Sequence, residues 1–126
     1  MEDPGAPGGT FDHWVLFNLP MAVDGLPEGL PRDINLPNGG IHGRNSYGSM
    51  GYRGPCPPKG PSHTYQLSVY AVDRELSLPA VATKGQLQRA LQGHVLASSM
   101  LIGTYQRGTA VDDGGDGDDS GEAGSY

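Results

Sequence analysis

The chain is short of cysteine, of long apolar runs and of any excess of basic residues. Cys56 is its one cysteine, so no internal disulfide can form, and nothing resembles a zinc cluster. A reducing compartment is therefore expected. No stretch approaches the ~20 apolar residues that span a bilayer, and the N-terminus lacks a basic segment followed by a hydrophobic one. The expected location is the cytoplasm, without stable membrane insertion. The formal charge of −6 is confined to one end. Residues 1–110 carry eight acids and eight bases, whereas 111–126 hold six acids and no Lys or Arg. That Gly/Asp/Ser segment is too polar to offset its own ordering entropy and is expected to be a disordered, solubilising tail that discourages nucleic acid as a partner.

What is present points to turns and short strands. The 126 residues allow one domain, 1–110, which buries only about two-thirds of its unfolded surface. With 21 glycines and 11 prolines, an all-β or β-rich fold is favoured over a helical bundle. The apolar run from His13 to Pro20 reads as a strand buried on both faces. From Met21 to Ser62 there is no periodicity, and prolines and glycines there predict a shaped loop. Tyr65, Leu67, Val69 and Ala71 alternate with polar residues, the pattern of a half-buried strand. Thr83 and Gln86 have capping-box spacing, so a helix should start at Lys84. Leu87, Ala90, Leu91, His94 and Val95 then mark its core-facing stripe, with Gly93 able to break it, and Met100–Tyr105 reads as a last strand. Three strands and one helix leave strand faces without partners. Strands preceding Met1, or another chain, are expected to supply them, and a chain that truly starts at Met1 should form homo-oligomers through unpaired strand edges.

Two motifs in register carry a resemblance. Asp3-Pro4-Gly5-Ala6-Pro7, His13-Trp14 and Asn18-Leu19-Pro20 are similar to one signature of the phosphatidylethanolamine-binding (Raf-kinase-inhibitor-like) family. Gly51-Tyr52, Gly54-Pro55, Pro57-Pro58-Lys59-Gly60 and His63-Thr64-Tyr65 resemble its Gly-rich second signature, and Gly93-His94-Val95-Leu96 and Gly103-Thr104-Tyr105 its C-terminal helix and strand. The resemblance implies an antiparallel Greek-key β-sandwich with a C-terminal helix, here lacking N-terminal strands. It also implies a small pocket for phosphate-like and acetate-like anions, phospholipid head groups among them. Carried over by position, the ligand-binding residues are Asp3, Pro7, His13, His63 and Tyr65, with Gly54, Pro55, Cys56 and Pro57 as one wall.

Chemistry makes that role reasonable. Two imidazoles and a phenol can donate to an oxyanion, and glycine-rich backbone can approach it closely. A bound anion would favour imidazolium and so strengthen binding toward acid pH. The implied function is a non-enzymatic binder of a small phosphorylated or carboxylated ligand, acting as an inhibitor or scaffold toward a protein partner, with no cofactor. A competing reading is a metal-dependent enzyme, because Asp3, His13 and His63 supply one carboxylate and two imidazoles. A third is a gene fragment without independent function. His94 on the helix stripe reads as a packed core histidine, and His42, matching nothing, as a surface residue. The sequence departs from the family pattern at Gly5 and Thr64, where relatives carry Asp and Arg; the loss of one acid and one base suggests a pair removed as a unit.

Overall fold

A computed structural model describes residues 1–108; the segment 111–126 read above as a disordered tail lies outside them. The described residues form β1 (Glu2–Asp3), β2 (Phe11–Asp12), β3 (Leu16–Phe17), β4 (Ile41–His42), β5 (His63–Val72), α1 (Lys84–Leu91) and β6 (Val95–Tyr105). They make a four-stranded antiparallel sheet in the order β2-β1-β5-β6 and a two-stranded sheet, β3-β4. The fold is mostly β with one helix, as the turn-rich composition predicts.

The β5–β6 ribbon dominates, running in register from His63↔Tyr105 to Ala71↔Ala97 before a shift at Val72. β6 begins five residues before the expected Met100. Gly93 explains the difference: at φ +81° it takes the left-handed conformation that ends α1, and the amide of His94 donates back to the Leu91 carbonyl at 2.9 Å. His94 and Val95 therefore leave the helix instead of extending its stripe. His94 is half-buried, with Nδ1 3.0 Å from the Asp73 carboxylate, and is not a core histidine.

The helix start follows the sequence. Thr83 Oγ1 accepts from the Gln86 amide at 3.3 Å, and Gln86 Oε1 accepts from the Thr83 amide at 2.9 Å. Lys84, a cation in the first helical turn, is compensated by Glu2 at 2.5 Å and Asp12 at 3.2 Å. Burial alone would lower its pKa, but those two acids outweigh it and raise the value. This cluster ties α1 to β1 and the end of β2.

The predicted strand from His13 to Pro20 shortens to Leu16–Phe17 and is buried on one face. Val15 and Phe17 are 3% and 4% exposed, while Trp14 and Leu16, which alternate with them, are half-exposed. Asn18 stops it: the residue sits at φ 58°, and its amide side chain donates to the Leu76 carbonyl at 2.9 Å and accepts from the Leu76 amide at 2.8 Å. Val15, Phe17 and Ala82 form the apolar core, with Ile41, Leu78 and Leu87 packed on it. Gly43 closes against this cluster so tightly that a Cβ would lie 2.2 Å from the Ala82 carbonyl oxygen.

The expected shaped loop over 21–62 is ordered by polar groups turned inward. Asn45, 3% exposed, accepts from the amides of Tyr47 and Ser49 at 3.0 and 3.1 Å and donates to the Gly51 carbonyl at 3.0 Å. His42 is fully buried in β4, and its Nδ1–H donates to the Asp33 carbonyl at 2.8 Å, so it is not a surface residue. The half-burial expected along β5 holds at one end only. Tyr65 is 6% exposed and Leu67 is half-buried, but Val69 is 59% exposed.

Candidate functional site

The site is built where β1 meets β5. Antiparallel pairing of Glu2 with Gln66 sets Asp3 across from Tyr65, one diagonal step from the first residue of β5, and Asp3 Oδ2 accepts from His63 Nδ1 at 2.7 Å. The carboxylate has no exposed surface; its other oxygen accepts from the Gly5 amide at 2.9 Å. Because a carboxylate accepts, Nδ1 of His63 carries the proton, and Nε2 accepts when the ring is neutral and donates when it is imidazolium. Asp3 thus fixes the tautomer and plane of His63 from within the fold.

His63 and Tyr65 share one face of β5, since they are two residues apart, and their rings stack at 6.5 Å with an interplanar angle of 26°. His13 also packs on Tyr65, edge to face, with ring centroids 5.4 Å apart. The two histidines therefore converge on one tyrosine. They are not equivalent. His13 has no exposed surface, and its Nδ1–H donates to the Arg53 carbonyl at 2.8 Å. Burial lowers its pKa against the opposing pull of that hydrogen bond and of Asp3, which keeps the ring neutral. By sequence, both imidazoles hold the same donor role; in the fold, His13 spends its one N–H on backbone, which opposes an acid-side gain from this ring.

Residues that motif comparison passes over complete the wall. Phe11 and Tyr47 pack edge to face at 4.8 Å, and both contact the His13 ring, at 5.1 and 5.9 Å. The Arg53 guanidinium lies 4.4 Å over the Tyr47 ring, a cation–π arrangement on a ring that itself contacts His13. Burial, with the neighbouring Cys56 sulfur adding to it, raises the Tyr47 pKa despite Arg53. Phe11 falls between parts of the first signature and Arg53 between parts of the second, at positions those motifs leave open, and Tyr47 lies just before the second, so no sequence pattern marks them.

In the expected wall, Pro57 is fully buried and its carbonyl accepts from Arg107 at 3.4 Å, whereas Cys56 is exposed. Pro7 lines a shallow depression of about 350 Å³ with Phe11, Ser46 and the 8–10 turn; of the sequence-predicted residues it alone does so. Gly5 adjoins Asp3, where an added Cβ would stand 3.7 Å from Oδ1, but Thr64 lies on the face of β5 opposite His63 and Tyr65. The two departures from the family pattern sit in different surroundings.

The metal reading finds no support. Among the described residues no group of three or more His, Cys, Asp or Glu side chains is placed to hold a metal ion. Both oxygens of Asp3 and Nδ1 of His13 are engaged by protein partners instead. No helix among the described residues is long and apolar enough to cross a membrane.

Comparison with known proteins agrees with this fold. The chain is 46% identical over 107 residues to a UPF0098 protein of Methanothermobacter thermautotrophicus, covering 85% of this chain and 70% of that one. It is 43% identical over 110 residues to a UPF0098 protein of Pyrococcus abyssi, covering 85% of this chain and 61% of the relative's length. Among solved structures, a phosphatidylethanolamine-binding protein homologue of Chlamydia trachomatis superposes with a TM-score of 0.74 at 37% identity, covering 84% of this chain and 68% of that one. Escherichia coli YbcL, described as a member of the mammalian PEBP family, gives 0.75 at 32%, with the same coverage. The family profile for phosphatidylethanolamine-binding proteins matches residues 1–106, and the chain belongs to that family.

Proposed function

We propose that the chain is a non-enzymatic binding protein for a small oxyanion, namely phosphate, a phosphorylated head group or a carboxylate. The observation that carries this reading is the convergence of His13 and His63 on Tyr65, with Asp3 holding His63 at 2.7 Å. His63 and Tyr65 are the side chains that address the ligand, Pro7 and the Gly54–Pro57 segment flank it, and Arg53 supplies nearby positive charge. Asp3 and His13, both without exposed surface, act from behind as positioning residues. With Nδ1 of His63 held by Asp3, Nε2 is the ring nitrogen assigned to the ligand, and hydrogen bonds to a charged oxyanion are the strong ones. Such a binder performs no chemistry; in a cell it acts as a ligand-sensitive inhibitor or scaffold of a protein partner.

The test is titration of ¹⁵N-labelled protein with inorganic phosphate and, separately, with phosphoethanolamine. Shift changes should concentrate at His63, Tyr65 and residues 54–56 and should vanish in His63→Ala. Saturable changes centred elsewhere, or none up to millimolar ligand, refute the reading.

A further inference from the structure

β6 differs from every other strand among the described residues: all eleven of its residues are exposed. It is the outer strand of its sheet, hydrogen-bonded to β5 on one side only. Leu101 is 68% exposed on the face it shares with Leu67, while Met100 and Ile102, 52% and 59% exposed, stand on the other face. Edge strands of soluble proteins are normally blunted by a proline, a charge, shortness or a bulge. From Val95 to Tyr105 there is no Pro, Asp, Glu, Lys or Arg, and the one register shift lies at the Val72 end.

We propose that β6 pairs with β6 of a second copy of this chain, antiparallel about a two-fold axis at Met100, joining two four-stranded sheets edge to edge. Three observations select this occupant. The outer backbone edge of β6 is open along its length, and only another extended strand presents donors and acceptors at the matching spacing. A two-fold antiparallel pair sets two copies of one strand against each other, which is costly where the strand is charged, and β6 carries no charge. With the axis at Met100, Leu101 faces Ser99 and Ile102 faces Ser98 of the second copy, large against small. A strand pair buries less than the ~800 Å² per partner of a standard interface, so the association is reversible over micromolar concentrations.

The experiment is sedimentation equilibrium of the full chain from low micromolar to several hundred micromolar, for wild type and for Ser99→Lys/Leu101→Lys. These two positions face each other across the axis, and both are exposed in the single chain. Wild type should reach a dimer, and the lysine variant should raise the dissociation constant about tenfold or more. Hydrogen exchange supplies a readout that does not depend on the variant: β6 amides should gain protection as concentration rises. A chain that stays monomeric, a dimer that the lysines leave unchanged, or β6 amides already protected at the lowest concentration would each overturn the proposal. The last result would mean that the edge is covered from within the chain.

Discussion

The Asp3–His63 pair offers the sharpest test of how the site is held. Asp3 has no exposed surface and accepts from His63 at 2.7 Å and from the Gly5 amide at 2.9 Å. Hydrogen bonds to a charged group contribute about 1.5–3 kcal/mol each, against about 0.5–1.5 kcal/mol for neutral ones. Asp3→Asn keeps the shape and one neutral acceptor, so it should lower stability by about 2 kcal/mol. His63 retains 14% side-chain exposure, so part of its share is screened. In a cycle of Asp3→Asn, His63→Gln and the double variant, followed by urea unfolding, the coupling energy should be about 1–2 kcal/mol. The slope of the denaturation curve should not change, since neither substitution alters the surface exposed. Asp3→Asn should also weaken phosphate binding about tenfold while the protein remains folded, because the donor it aims has lost its charged anchor. Additive single effects, within about 0.5 kcal/mol, together with unchanged phosphate affinity would show that Asp3 does not position His63.

Other perturbations follow from the same geometry. Gly43→Ala should cost about 2–3 kcal/mol in urea unfolding, because its Cβ would meet the Ala82 carbonyl oxygen at 2.2 Å and Val15 Cγ1 at 2.7 Å. Gly85→Ala, whose nearest contact would be Thr83 Oγ1 at 3.9 Å within α1, should instead stabilise by about 0.5–1 kcal/mol. Asn18→Gly should lose about 2 kcal/mol with the two Leu76 hydrogen bonds, and Asn18→Ala about 1 kcal/mol more, because φ is 58° there. The His13 pKa is lowered from 6.5, so below that pH the unfolded chain takes up a proton that the folded ring refuses. Its contribution is fully present above 6.5 and declines as pH falls toward the folded value; urea midpoints measured from about pH 8 to about pH 5.5 should drop accordingly, and a flat profile refutes it.

The sequence was most legible where one local rule decides the outcome. The capping box at Thr83 and Gln86 is an interaction within four residues, and α1 starts at Lys84 as that spacing requires. The alternation of β5 placed His63 and Tyr65 on one face without knowledge of any partner strand. Tertiary partners overrode the pattern elsewhere. The apolar run after His13 reads as a long strand, but the amides of His13 and Trp14 donate to the Met1 carbonyl and Asn18 turns toward Leu76, which leaves two residues in the ladder. His42 carries no sequence mark of burial; it is buried because its Nδ1–H finds the Asp33 carbonyl nine residues away. Similarly, nothing in the residues around His13 reveals that Arg53, 40 positions on, takes its proton-bearing nitrogen. The motifs name Asp3, His13, His63 and Tyr65 together but leave their roles undivided, because each role is set by a partner outside the motif's own stretch of chain.

That division of roles follows from how little apolar core the molecule has. Val15, Phe17 and Ala82 form one small cluster, while the largest fully buried side chains are His13, His42, Asp3 and Pro57. On the site side, buried polar groups occupy the space that Leu or Ile would fill in an ordinary core. Burying such groups is costly unless they are paired, and the side chains of His13, His42 and Asn45 each donate to a backbone carbonyl of the 21–62 segment, although Nε2 of His42 is buried without a hydrogen-bond partner. The loop is consequently shaped by the same residues that frame the site, and its prolines and glycines need only permit that shape. Loosening the polar network should therefore disturb binding and loop order together, whereas trimming the apolar cluster should lower stability without moving His63 relative to Tyr65.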